Sequence, residues 1–130
     1  MLREAGLRPT AQRMSLGAIL FSGCDRHVTA EALYHEAVQA SVPVSLATIY
    51  NTLNKFAEAG LLRQVIVSGA PTHFDTNTSN HPHFFVENTN LLLDIPAAEI
   101  VLEKMPAVPD GFESAGTEIV VYLKRKAGCA

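Results

Sequence analysis

Residues 45–60, SLATIYNTLNKFAEAG, decide how the rest of the chain is read. At about 100° per residue, Leu46, Ile49, Leu53, Phe56 and Ala57 fall on one stripe. Ala47, Thr48, Asn51, Asn54 and Lys55 fall opposite. The stretch is therefore expected to be an amphipathic helix, opened after the proline break at Pro43 and closed at Gly60. Its outer face reads as small and polar, with Lys55 as its one charge and no carboxylate. An ordinary solvated helix face carries more Glu and Lys. Asparagine can pair with adenine, threonine can touch a thymine methyl, and lysine can reach guanine or phosphate. Such a face suits a helix that reads a DNA groove; a plain surface helix is the competing reading. Tyr50 falls near the edge of the apolar stripe, so periodicity alone makes it partly core.

Working outward, residues 6–23, GLRPTAQRMSLGAILFSG, read as a helix with Thr10 as N-cap candidate. Residues 28–41, VTAEALYHEAVQAS, repeat the pattern. Thr29 can cap, Glu31 lies in the first turn, and Leu33, Ala37 and Ala40 share a face. His35 reads as a surface residue of this helix. After the reading helix, residues 62–67 and 72–75 are strand-like around Ser68-Gly69, a hairpin signal. Three helices and then a hairpin is the order of a winged helix-turn-helix.

From His83 the pattern changes. HFFVE and LLLDI read as strands around NTN, PAAEIVLEKM as a short helix started by Pro96, and TEIVVYLKRK as a final strand. The expected class is α+β, with a winged-helix DNA-binding domain over residues 1–78 and a small α/β dimerisation domain over residues 79–130. The second part is too small to bury a large core alone. Its apolar strands point to a partner surface, most simply another copy of the chain. Residues 77–80, NTSN, are the expected linker.

Composition sets outer limits. Apolar residues are 48% and charged residues 18% of the 130, which suits a folded domain and argues against global disorder. No apolar run is long enough for a transmembrane helix, and the first residues, MLREAGLRPT, hold no signal-peptide core. Cys24 and Cys129 are isolated, with no CxxC pair, and read as reduced thiols of a cytoplasmic protein. Net charge is −3. Residues 1–66 carry six Lys and Arg against five Asp and Glu; residues 67–130 carry four against eight. The first half can accept a polyanion, whereas the second would repel one unless cations bind it.

The second half also holds the densest donor run, DTNTSNHPHFF, residues 75–85. Residues two apart on a strand point to one face, so His81 and His83 converge. Pro82 favours an extended start. A turn centred on Asn88-Thr89 puts His83 opposite Asp94 in antiparallel register.

Taken together, GLRPTAQR, VTAEALY, SLATIYNTLNKFAEAGLL, HFDTN and HPH stand in the order and spacing of the ferric uptake regulator family of bacterial metal-responsive repressors. The resemblance covers essentially the whole chain. VPVSLATIYNTLN, the DIP at 94–96 and the lack of CxxC pairs most resemble the iron response regulator branch. The resemblance implies a homodimeric winged-helix repressor on a palindromic operator, acting in iron homeostasis. It implies a hinge metal site made by His27, Asp75, His81, His83 and Asp94. Three imidazoles and two carboxylates suit zinc, manganese or iron better than a thiolate-seeking metal. His73 matches no family ligand position. The resemblance also implies that Tyr50 touches a base, beside Asn51, with Arg13, Ser45, Thr48 and Lys55 positioning the DNA backbone.

The departures are informative. Asn80 and Pro82 occupy places that supply a second metal site in many members, and Val86 and Thr89 replace the zinc-binding CxxC. The branch carries three successive histidines implicated in haem sensing; here Pro82 interrupts them, leaving His81 and His83 as candidate haem ligands. Asn51 stands where the family commonly has arginine, so a different operator preference is expected. Two rivals remain. A histidine–carboxylate metal centre with an open position could activate water, but HExxH and a nucleophile beside a base are both missing, and the chain is not expected to be an enzyme. A winged-helix protein-interaction module with a structural metal is the other.

Overall fold

The computed structural model describes residues 1–127. It divides into two compact units, one of Met1–Thr78 and one from residue 79 onward. The first unit runs α1 (Ala11–Phe21), β1 (His27–Thr29), α2 (Ala30–Gln39), α3 (Leu46–Glu58), β2 (Arg63–Val65) and β3 (His73–Asp75).

Each helix starts where a hydroxyl can satisfy an orphan amide. Thr10 Oγ1 accepts from the Arg13 amide at 3.2 Å, Thr29 Oγ1 from Ala32 at 3.2 Å, and Ser45 Oγ from Thr48 at 3.1 Å. Thr29 both ends β1 and caps α2, so strand and helix join without a loop. Two helix ends close by the same device. The Leu61 amide donates to Phe56 O at 2.9 Å and the Gly60 amide to Ala57 O at 3.1 Å, with Gly60 at φ +81°. At the end of α2, Val42 donates to Ala37 O at 2.9 Å and Ser41 to Val38 O at 3.1 Å, with Ser41 at φ 58°.

The core of this unit gathers Leu16 and Leu20 of α1, Leu33 and Ala37 of α2, and Ile49, Leu53 and Phe56 of α3, closed by Phe74 of β3. The α3 stripe differs from the expected one at its edges. Leu46, at the first helical position, is exposed and Ala57 only half buried, while Thr52 is buried beside Ile49 and Phe56. Ala40 is likewise exposed, because the chain turns there.

The strands form one sheet in the order β1-β3-β2, with β3 central and antiparallel to both neighbours. The expected hairpin is present but short. The third strand of the sheet, β1, is too brief to announce itself in the sequence. Asp75 stands in register between His27 and Arg63.

The second unit holds β4 (His83–Val86), β5 (Leu92–Asp94) and β6 (Val120–Leu123), in the order β5-β4-β6. β4 and β5 are an antiparallel hairpin with His83 opposite Asp94, the expected register. Its turn uses Asn88 at φ 62° and is tied by Thr89 Oγ1 donating to Val86 O at 2.7 Å. β6 lies parallel to β4, with His83 beside Val120. The expected helix from Pro96 is corrected to a single 3-10 turn, Ala97–Glu99. Ile100 leaves it in extended geometry, and Val101 is 84% exposed. Ala97, Ile100, Leu102 and Met105 line an open hollow with Pro82 and Ile119 instead of packing as one helix face. The final strand is likewise shorter than expected, and Lys124, Arg125 and Lys126 follow it exposed.

The two faces of this sheet differ in burial along the strands, and Tyr122 is exposed on the first of them. Leu92, Phe85 and Tyr122 stand in one cross-strand row, with Leu92 and Phe85 buried. Leu93, Phe84 and Val121 form the next row on the opposite face, with Leu93 and Val121 exposed. Cys24 is exposed, and Cys129 lies outside the described residues. Among the described residues no helix is long and apolar enough to cross a membrane.

Candidate metal centre and nucleic-acid face

Backbone bonds fix the histidine pair of the second unit. The His83 amide donates to Ile119 O at 3.0 Å and the Ile95 amide to Pro82 O at 2.9 Å, clamping HPH between β5 and β6. The two rings lie 4.5 Å apart at 52°. His81 Nε2 is 3.0 Å and His83 Nε2 3.3 Å from the same atom, Asp94 Oδ1. His83 has no exposed surface and His81 is buried.

The far side of each ring also meets a polar group. His81 Nδ1 lies 2.8 Å from the Ser79 carbonyl, which can only accept, so Nδ1 carries the proton there. In the neutral ring the Nε2 lone pair then faces a carboxylate oxygen. Such a pair needs a proton or a cation between its members, so the donor set fits a small divalent ion. His83 Nδ1 faces Glu118 Oε1 at 3.5 Å. Sequence reasoning did not pick out Glu118. It lies two residues before Val120, the partner of His83, and nothing in the sequence reveals that β6 runs parallel beside β4.

In the first unit, His27 and Asp75 are cross-strand partners whose ligand atoms lie within 4.8 Å of each other. Asp75 is buried and accepts from the Asn77 amide at 2.9 Å. His73 is also buried, and its Nδ1 donates to Pro71 O at 3.0 Å. His35 is exposed on α2, with its ring edge-on to Tyr34.

The exposed side of α3 carries Asn51, Asn54 and Lys55, with Thr48 half buried. Ser45 Oγ donates to Thr48 Oγ1 at 3.0 Å, so both hydroxyls sit at the helix start. Arg13 Nη1 donates to Arg8 O at 3.2 Å. Arg13, Thr48 and Asn51 line one open polar hollow with Arg8 and Gln12. The face is not free of carboxylate, as its composition had suggested. Glu58 lies on it, exposed, 3.5 Å from Lys55 Nζ. Tyr50 is 39% exposed rather than part of the core, and its hydroxyl donates to Glu31 Oε1 at 2.7 Å. Glu31 also escaped sequence reasoning, because only the packing of α2 on α3 brings it to Tyr50.

A helix with a polar outer face in one unit, and histidine–carboxylate groups in both, define a mixed α+β protein with candidate ligands for a divalent ion. The profile of the Ferric uptake regulator family matches residues 4–122. The chain is 32% identical over 127 residues to the ferric uptake regulation protein of Pseudomonas aeruginosa, covering 96% of this chain and 95% of that one. It is 33% identical over 124 residues to the peroxide operon regulator of Bacillus subtilis, covering 93% and 83%. The structure of the P. aeruginosa ferric uptake regulator with manganese superposes with a TM-score of 0.71 at 31% identity, over 96% of this chain and 95% of that one. The chain belongs to the ferric uptake regulator family, whose members are transcription regulators rather than enzymes.

Proposed function

We propose that the chain is a metal-responsive, DNA-binding transcriptional regulator of the iron response regulator branch, working as a cytoplasmic homodimer on a palindromic operator of iron-homeostasis genes. Residues 1–78 act as the winged-helix DNA-binding domain, with α2 and α3 as its motif and β2–β3 as its wing. Residues 79–130 act as the dimerisation domain. Tyr50 and Asn51 read bases, while Arg13, Ser45, Thr48 and Lys55 position the backbone. His81, His83 and Asp94, joined by His27 and Asp75, hold a divalent zinc, manganese or iron ion.

The observation that carries this reading is the convergence of two imidazole Nε2 atoms on one Asp94 oxygen, at 3.0 and 3.3 Å, in a chain of this family. The relative solved with manganese supports a divalent ion. Haem is the second candidate ligand of His81 and His83. The full burial of His83 favours the ion, since a porphyrin face would require that ring to leave its site.

Metal analysis and gel shifts on genomic fragments, for wild type and His81→Ala/His83→Ala, test the reading. The double variant should lose most bound metal and bind DNA less tightly while keeping its fold. Full metal content in the double variant would remove these residues from the site. Metal binding with no preference among DNA fragments would favour the protein-interaction module. A saturable haem spectrum lost in the double variant would make haem the signal.

A further inference from the structure

An exposed tyrosine ordinarily turns its hydroxyl freely, so it can donate or accept. Tyr50 does not have that freedom. Its hydroxyl lies 2.7 Å from Glu31 Oε1 in the first turn of α2. An ionised carboxylate only accepts, so the phenol is the donor and its proton is committed. The hydrogen bond pushes the Tyr50 phenol above its ordinary range and holds the Glu31 carboxyl below its own, so phenol and carboxylate both persist at neutral pH. The phenolic oxygen is left with lone pairs only.

From this geometry we infer that Glu31 makes Tyr50 an acceptor-only reader, selecting a base that presents an amino group. This rests on the DNA-binding reading above. In the major groove, adenine N6 and cytosine N4 offer amino hydrogens, whereas guanine N7 and O6 and thymine O4 offer only lone pairs. Lone pairs facing lone pairs repel, so guanine and thymine are rejected. Glu31 need not touch DNA; it is a positioning residue that acts through Tyr50.

The test is selection of bound duplexes from a randomised pool by the full chain with manganese(II). The proteins compared are wild type, Glu31→Gln, Glu31→Ala, Tyr50→Phe and the double Glu31→Ala/Tyr50→Phe variant. The position read by Tyr50 is the one whose preference changes in Tyr50→Phe. There, wild type should favour adenine or cytosine by about tenfold, the scale of one good base contact. Glu31→Ala should reduce this to roughly twofold or less, because the freed hydroxyl can then donate as well as accept. Glu31→Gln should keep most of the preference, since its side-chain oxygen still accepts. Glu31→Ala should add nothing in the Tyr50→Phe background. An unchanged base profile in Glu31→Ala overturns the inference and leaves DNA binding standing. So does an equal gain in affinity for all sequences in Glu31→Ala and Glu31→Gln, which would make Glu31 a mere repulsive charge. Wild type with no sequence preference at all overturns the DNA-binding reading and this inference together.

Discussion

Ser41 occupies a backbone conformation that favours glycine. Its φ of 58° closes α2 by the same pair of hydrogen bonds that Gly60 makes at the end of α3. A side chain there costs roughly 1–2 kcal/mol, against about 0.5–1 kcal/mol of extra unfolded-chain entropy for glycine. Ser41→Gly should therefore stabilise the first unit by about 0.5–1 kcal/mol, read as a higher urea midpoint with an unchanged slope. A lower midpoint would mean that the serine is not strained. At this scale, legibility in the sequence follows separation along the chain. His81, His83 and Asp94 were readable because one strand alternation and one hairpin turn relate them. Glu31 and Glu118 were not, since Glu31 meets Tyr50 only through the packing of α2 on α3, and Glu118 meets His83 only through the parallel pairing of β6 with β4.

Among the elements, α3 was the most legible, because 13 residues give the apolar period room to repeat. The caps of α1 and α2 were legible as well, since each needs only one hydroxyl at the right place; the Ser45 cap of α3 was not picked out. β1 and the turn at Ala97–Glu99 have three residues each, too few for any period to register. The helix expected after Pro96 stops after one 3-10 turn because Ile100 is already extended; spacing alone does not ensure a helix, whose stability comes mainly from tertiary packing. The α3 face carries its own prediction. Asn51→Ala should cost about 1–3 kcal/mol on the true operator and little on random DNA, because a paired base contact is lost. Lys55→Ala should weaken both and lower the salt slope by about one, as one phosphate contact goes. Competition titrations at several salt concentrations separate the two, and equal losses on both DNAs for Asn51→Ala would remove it from base readout.

For the whole molecule, the second unit's sheet has an apolar row that is partly exposed among the described residues. Leu93 and Val121 flank Phe84 across three strands, and both are exposed. In the proposed dimer this is the face that a second copy buries. Val121→Glu would place a charge in that contact, where an unpaired carboxylate costs several kcal/mol. Sedimentation at micromolar concentration should then show a dimer for wild type and a monomer for the variant. A wild-type monomer that still binds specific DNA would end the dimer proposal.

The parallel pairing of β6 with β4 bears on the order in which the second unit folds. His83 reaches Asp94 through a tight hairpin, but it reaches Val120 only after the chain has travelled past Pro96, Pro106 and Pro109. Hairpins close in roughly 1–10 μs, whereas distant pairings wait for the loss of entropy in a long loop. His81, His83 and Asp94, the proposed ligands, can therefore come together before β6 docks. A cation captured at that stage would act as a nucleus, speeding the unit's formation as well as holding the finished site. Pulse-labelled amide exchange during refolding should record the sequence of events. The Ile95 amide, bonded to Pro82 O, should be protected first, and the His83 amide, bonded to Ile119 O, later. Added manganese should shorten the first phase, and simultaneous protection of both amides would show that the three strands close as one.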